Sequence, residues 1–424
     1  MGCKLPLRVD VLFMSVNAKD CLNDVRPGLL MLFWIFLKIG STAFGGFMAL
    51  ISVVQNYLVD RKKYLSNEEM LDGISLATIL PGPVAVNVVA YAGYKMRGIS
   101  GAIVCATAVI LPSFFLILFL SYAYFTWGDI PAVNNIFQGF LPAVVAIILV
   151  AALNMGKKSI ASGVEIIIAV VAMLVLVLVG GFYSTLAIML VAGFSGWFLF
   201  VKNIPGEAVY YELEDVEKKV IVKRKYLWQL VVISVIALMA IFLPLLNPYT
   251  ETAGKLLSVF SGMSLLLFGG GFVFIPLMQE SVVETYQWVT HKEFIDAVAM
   301  GQITPGPILI SATFIGYKVA GVFGAAMATI GIFTPPAMLM LICTHYLQKV
   351  KSSKNIKAIL KGLRSAVIGM IFAAAYTVAM TTEINYITLA IFITSMIALL
   401  KFKVEVVWII PASGLIGLVA YSYL

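Results

Sequence analysis

Long apolar runs dictate what this chain can fold into. A helix needs about 20 mostly apolar residues to cross a bilayer. Residues 98–125, 136–153, 160–179, 182–201, 227–246, 321–346, 366–380, 387–400 and 404–424 reach or approach that length. Inside lipid the backbone must satisfy its own polar groups, so continuous runs of this kind can only be helices. Only 12% of the 424 residues are charged and 61% are hydrophobic, too little charge to clothe a soluble surface. The fold class is therefore an all-α polytopic membrane protein.

The apolar sequence is interrupted twice in the same way. One copy reads Leu80-Pro81-Gly82-Pro83, followed by Gly93-Tyr94-Lys95; the other reads Thr304-Pro305-Gly306-Pro307, followed by Gly316-Tyr317-Lys318. A glycine cluster precedes each copy (Phe44-Gly45-Gly46-Phe47; Gly269-Gly270-Gly271-Phe272), and a proline follows in apolar sequence (Pro112; Pro335). Pro81 has no amide hydrogen and restricts Leu80, so a helix is expected to end there. Gly82 permits a sharp turn, and Pro83 suits the start of a second helix. The free amides and positive dipole of that second start would point into the membrane interior, where they favour anions. Exposed backbone at this depth survives only where it lines a cavity or is buried in protein. Two such breaks in repeated halves are the pattern of a transporter with a midplane site.

Charge gives orientation. Lys218, Lys219, Lys223, Arg224 and Lys225 place the loop 202–226 inside by the positive-inside rule. Counting crossings from there puts Lys95, Arg97, Lys157 and Lys158 inside, with Lys349, Lys351, Lys354, Lys357, Lys361, Arg364, Lys401 and Lys403. The lysine-free turn at Asp129 and Pro131 and the loop with Glu383 fall outside. The two halves are then inverted. Arg61, Lys62 and Lys63 after the first glycine cluster are matched by Glu280, Glu284 and Glu293, with Lys292, after the second. The expected organisation is a cytoplasmic extension 1–28, a first repeat 29–201, a charged linker 202–226, a connecting helix 227–253 and an inverted repeat 254–424. The chain carries no cleavable signal pattern; the amino terminus is expected inside the cell and the carboxyl terminus outside. Segments 29–58 and 70–94 admit either re-entrant hairpins or broken full spans; re-entry keeps the Arg61 cluster inside.

The candidate binding residues are Pro81, Gly82, Pro83, Thr304, Pro305, Gly306 and Pro307 at the breaks, with Gly45, Gly46, Gly270 and Gly271 in the clusters. Asn87 and Ser311 stand in the first turn after each break, within reach of a bound oxyanion. Lys95 and Lys318 lie about two turns further on and would draw anions to the mouths, unless they only snorkel. Asp72 and Asp296 match between halves and are candidates for proton coupling. Acids near helix starts otherwise serve as dipole complements. Lys38 and Glu165, near segment ends, are read as snorkelling side chains. The net charge of +8 is accounted for by the inside loops, with no soluble domain to bind nucleic acid. Cys3, Cys21, Cys105 and Cys343 are scattered, and His291 and His345 are isolated, so no metal, cofactor or catalytic set is expected. An enzyme or assembly factor is thus disfavoured against transport.

At these residues the chain resembles the chromate ion transporter family. The resemblance rests on Phe44 to Gly46, Leu80 to Pro83, Gly93, Gly98 and Leu111-Pro112-Ser113, with Gly269 to Gly271, Thr304 to Pro307, Gly316, Gly321 and Pro335 in the second half. It covers the chain from about Leu29 onward and looks like the long, two-domain form. Thr304 in place of a leucine is a departure, so the two loops need not bind alike. The resemblance implies an integral permease of the cytoplasmic membrane for chromate or a related tetrahedral oxyanion such as sulfate, usually exporting it. A passive anion channel or a sulfate permease are the alternatives, and a homodimer is an admissible assembly.

Overall fold

The computed structural model describes residues 27–43, 46–128, 130–203, 251–268, 271–344, 353–380 and 384–422. The expected extension 1–28, linker 202–226 and connecting helix 227–253 lie outside the described residues except at their edges. The described chain is helical throughout, with no strand among these residues. The first series runs α1 (Leu29–Thr42), α2 (Gly46–Gln55), a π-helical turn (Asn56–Arg61), α3 (Asn67–Ile79), α4 (Val84–Trp127), α5 (Pro131–Ser159), α6 (Gly163–Leu178) and α7 (Phe182–Phe200). The second repeats it: α8 (Glu251–Leu265), α9 (Phe274–Gln279), a π-helical turn (Glu280–Thr285), α10 (His291–Ile303), a 3-10 turn (Ile308–Ile310), α11 (Ser311–Thr344), α12 (Lys354–Met380), α13 (Tyr386–Leu400) and α14 (Val406–Ser422). Val84–Trp127, Pro131–Ser159, Tyr183–Phe200, Ile308–Thr344 and Lys354–Met380 are long and apolar enough to cross a membrane.

Two of those helices reverse direction. Arg97 and Gly98 leave helical geometry inside α4, Gly98 at φ 67°, and Ala320 and Gly321 do so inside α11, Gly321 at φ 59°. A Cβ built on Gly93 would stand 2.4 Å from the Gly101 carbonyl oxygen, and one on Gly316 would stand 2.3 Å from that of Gly324. Residues eight apart on a straight helix are separated by about 12 Å. The chain has therefore folded back on itself, and bare glycine backbone lets the two limbs touch.

The two series are interleaved. α4 and α11 pack together at the centre, with α1 against α4 and α8 against α11. The later helices exchange partners: α12 packs on α6 and α7, and α5 packs on α13 and α14. Small residues allow this. A Cβ on Gly139 would meet the Gly417 Cα at 3.0 Å, and one on Gly196 the Gly362 Cα at 2.8 Å.

Glu165 departs from the snorkelling expectation. It is fully buried at the start of α6 and pairs with Lys361 of α12 at 2.7 Å, while Lys361 also lies 4.5 Å from the Phe200 ring centre. A carboxylate withdrawn this far needs a partner. Lys361 supplies it and ties the two series together. Lys38, by contrast, is exposed on α1.

Candidate functional site: the paired helix breaks

Each break begins with a helix that is fixed at its start. Ser66 caps α3 and Thr290 caps α10, both in capping boxes: the Glu69 amide donates to Ser66 Oγ (3.1 Å) and the Glu293 amide to Thr290 Oγ1 (3.2 Å). Each glutamate returns the contact by accepting from the amide of its cap residue. These acids are therefore structural at the helix starts. α3 stops at Leu80 and α10 at Thr304, where ψ swings to 154° and 147°. The turn follows at Gly82 (φ 103°) and Gly306 (φ 106°), a region closed to ordinary L-residues. Pro83 and Pro307 stand as N-caps of the returning segments, one position earlier than expected from sequence.

The returning limb runs back along the entering one. Lys95 Nζ lies 3.9 Å from Glu69 Oε1, and Lys318 Nζ lies 2.8 Å from Glu293 Oε1, joining the two open ends of each hairpin. A Cβ on Gly73 would meet the Tyr91 ring at 2.5 Å. Both breaks are thus helical hairpins whose limbs run back along each other, the geometry that a re-entrant segment requires. Thirteen residues of α3 reach about 20 Å, roughly two-thirds of a hydrocarbon core.

The breaks are bound to each other's halves reciprocally. The Gly82 amide donates to the Leu267 carbonyl (2.9 Å), and the Gly306 amide donates to the Ala43 carbonyl (3.1 Å). Ala43 directly precedes the first glycine-rich cluster and Leu267 lies two residues before the second; Gly45 and Gly270 of these clusters lie outside the described residues. Gly46 opens α2, and Gly271 lies against Ile308, where an added Cβ would stand 3.1 Å from the isoleucine Cγ2. A second reciprocal contact closes the arrangement: a Cβ on Gly82 would fall 2.2 Å from the Pro336 ring, and one on Gly306 2.8 Å from Ser113 Oγ. Ser113 Oγ also donates to the Pro305 carbonyl. Ser113 and Pro336 each follow the proline (Pro112, Pro335) noted in the sequence.

Amides remain at both turns. Val84, Ala85 and Val86 open α4 and have no intrahelical acceptor; no other described backbone carbonyl accepts from them. Ile308 and Leu309 stand likewise at the second break, whereas Ile310 is bonded to Pro307. Residues 80–93 and 304–316 are buried without interruption, so the turns are closed to solvent here.

The flanking side chains depart from the sequence reading in detail. Asn87 Nδ2 donates to the Pro81 carbonyl (3.2 Å), Ser311 Oγ to the Ile308 carbonyl (2.8 Å) and Thr304 Oγ1 to the Gly301 carbonyl (3.2 Å). They brace the turns through local backbone. Among the described residues, Asn87 Oδ1 is the one atom of this set left buried without a partner; Gln302 Nε2 and the Tyr91 hydroxyl, elsewhere in the hairpins, are likewise unpartnered. Lys95 and Lys318 stand at the mouths as expected, but each is engaged by a glutamate. Asp72 is partly exposed, whereas Asp296 is fully buried, with Oδ2 accepting from the Tyr124 hydroxyl (2.7 Å) and Oδ1 unpartnered among the described residues. Sequence reasoning gave no site role to Gln302, Tyr124, Ser113 or Arg364; the last donates to the Thr78 carbonyl. Ser113 alone carried a signal, as the residue after a proline in an apolar helix.

Membrane-length helices around two buried, mutually bonded hairpin breaks define a polytopic membrane transporter. The comparisons agree. The chain matches the chromate transporter family over residues 30–197 and 254–418, and it belongs to that family. It is 31% identical to an uncharacterized transporter of Methanocaldococcus jannaschii, covering 95% of this chain and 97% of the relative. It is also 31% identical to a chromate transport protein of Cupriavidus metallidurans, covering 92% of each, and 29% identical to one of Pseudomonas aeruginosa, covering 95% of each. No solved structure matches the chain.

Proposed function

We propose that this protein is a secondary transporter that carries chromate or a related tetrahedral oxyanion out of the cell, holding it between the two helix breaks. The reciprocal bonding of Gly82 to Leu267 and Gly306 to Ala43 carries this reading, because it brings both turns to one interface between the halves. Oxyanions want several N–H donors converging in a dry site, and helix starts with unused amides offer them. The first break supplies the amides of Val84, Ala85 and Val86; the second supplies Ile308 and Leu309. Pro81, Gly82, Pro83, Pro305, Gly306 and Pro307 shape the turns. Gly271 packs against Ile308 of the second break, and Gly45, Gly46 and Gly270 are retained as binding candidates from the sequence motif. Asn87, Thr304 and Ser311 brace the site, and Lys95 and Lys318 border its mouths.

The halves 29–201 and 254–424 are taken as inverted repeats, with both described sides consistent with the charge count. Lys292 bonds Asn134, Asn135 bonds Ser422 (3.3 Å), and Gly181 lies against Glu280, joining groups counted as outside. Lys361 bonds Glu165 and Lys95 neighbours Glu69, joining groups counted as inside. The closed turns then correspond to an occluded state. Transport needs the halves to part at the two reciprocal bonds, first toward one side and then the other. Moving a dianion outward across a membrane 100 mV negative inside is favoured by about 4–5 kcal/mol, so export needs no other ion. Asp296, buried against Tyr124, is the better candidate of the two aspartates for adding proton coupling.

The test is flux of labelled chromate and of sulfate into proteoliposomes at fixed pH and voltage. Saturable, counterflow-competent flux above protein-free vesicles is expected. Linear flux without counterflow would make it a channel, sulfate alone would make it a sulfate permease, and no flux of either anion rejects the assignment.

A further inference from the structure

Arg364 occupies a place that its half-mate does not share. Lys354, Lys357, Lys361 and Arg364 follow one another at spacings of three and four residues, so they line one face of α12. The row spans about 15 Å and ends at Arg364, which is partly buried and donates from Nη2 to the Thr78 carbonyl at 3.1 Å. Thr78 lies three residues before Pro81. A guanidinium has five N–H donors, yet among the described residues this is its one hydrogen bond, and no carboxylate pairs with it.

The plain explanation is a cap: the last carbonyls of α3 lack intrahelical partners, and an arginine can serve one. The other half tests that explanation. Gly139 and Gly362 occupy matching close contacts, with Gly417 and Gly196. Two residues beyond them stand Leu141 and Arg364. Thr78 is matched by Gln302. The second break thus turns at φ 106°, against 103° in the first, with leucine where the first has its arginine. No cation is required to build the turn. What the second break has instead is a neutral donor, the buried and unpartnered Gln302 Nε2.

We infer that Arg364 is the charge-recognition residue for the oxyanion at the first break, while Gln302 gives the second break a neutral counterpart. This rests on the oxyanion-transport reading and deepens it. A forked guanidinium suits two oxygens of a tetrahedral anion and discriminates by charge. The asymmetry sets affinity at each face; the membrane potential still sets direction.

Three variants separate charge from capping. Arg364→Gln keeps a donor for Thr78 and loses the charge, Arg364→Lys keeps the charge and loses the fork, and Lys354→Gln is a control at the far end of the row. Chromate flux is measured in proteoliposomes, and chromate binding by tryptophan fluorescence of the purified, detergent-solubilised full chain. Arg364→Gln is expected to raise KM and weaken binding by about tenfold to about a hundredfold, with maximal flux little changed. Arg364→Lys should recover most of the loss, and Lys354→Gln should stay within about twofold. Wild-type KM in Arg364→Gln, or equal damage in Arg364→Lys, overturns the inference. If wild type binds chromate through Arg364 but moves none, the site stands and the transport reading falls. If wild type neither binds nor moves it, both fall.

Discussion

The two breaks share a backbone and differ in their surroundings. Capping box, helix stop, left-handed glycine, returning limb, mouth lysine and reciprocal amide bond are all present twice. The side chains around them are not. Gly82 meets the Pro336 ring where Gly306 meets the Ser113 hydroxyl. Asp296 is buried under Tyr124 where Asp72 is partly exposed. The first break has Arg364 nearby, and the second has Gln302. Duplication preserved what the backbone needs in order to turn inside a membrane. The groups that differ are those that set charge, a split that the proposed site between the halves would use.

The largest expected effect tests the shared part. Gly82→Ala and Gly306→Ala both force an L-residue into left-handed geometry, at about 1–2 kcal/mol. Beyond that strain they separate. The Pro336 ring cannot rotate away from a Cβ at 2.2 Å, whereas the Ser113 hydroxyl at 2.8 Å can. Gly82→Ala should therefore abolish chromate flux, and Gly306→Ala should leave a measurable fraction. Equal flux from both, near wild type, would mean that neither turn is part of the moving interface.

The aspartates come next. Asp296→Asn retains an acceptor for the Tyr124 hydroxyl and removes the ionisable group. It is expected to lower flux about tenfold and flatten its dependence on pH, the loss of one charged hydrogen bond. Asp72→Asn should stay within about twofold. If both variants behave alike across pH, the burial difference has no part in coupling and transport runs on voltage alone.

Ser113→Ala removes the donor to the Pro305 carbonyl and should cost about 1 kcal/mol of stability, read as a lowered unfolding midpoint in detergent. Its half-mate is already a proline, so the first break loses nothing comparable. An unchanged midpoint would show that the Pro305 carbonyl finds another partner.

Much of this was legible in sequence because it depends on short-range rules. Pro81, Gly82 and Pro83 state a helix stop, a left-handed turn and a helix start within one tripeptide, and the second copy states it again. Lengths of apolar runs located the long helices, and Gly98 and Gly321 marked where they begin after a reversal. Side-chain partners were not legible, since they depend on which helices meet. Glu165 looked like a snorkelling acid because its partner, Lys361, is nearly two hundred residues away across the interleaved halves. Asp72 and Asp296 are equivalent by position, and the burial of Asp296 against Tyr124 depends on packing that the sequence does not state. Arg364 was hidden in a run of lysines that the positive-inside rule had already explained.

The smallest effect concerns the mouths. Lys95→Gln and Lys318→Gln each break a pair with a capping glutamate, and both lysines are more than a third exposed. Exposed pairs contribute about 0.2–1 kcal/mol. The second pair is shorter, and Glu293 is the less exposed glutamate, at 15% against 42% for Glu69. Lys318→Gln should thus reduce stability more than Lys95→Gln, and the difference should shrink as salt is raised. An opposite order would mean that mouth charge follows the electrostatics of the two membrane faces and not the local geometry of each pair. Measured at two salt concentrations, the pair of variants therefore shows whether the symmetry of the breaks extends to their rims.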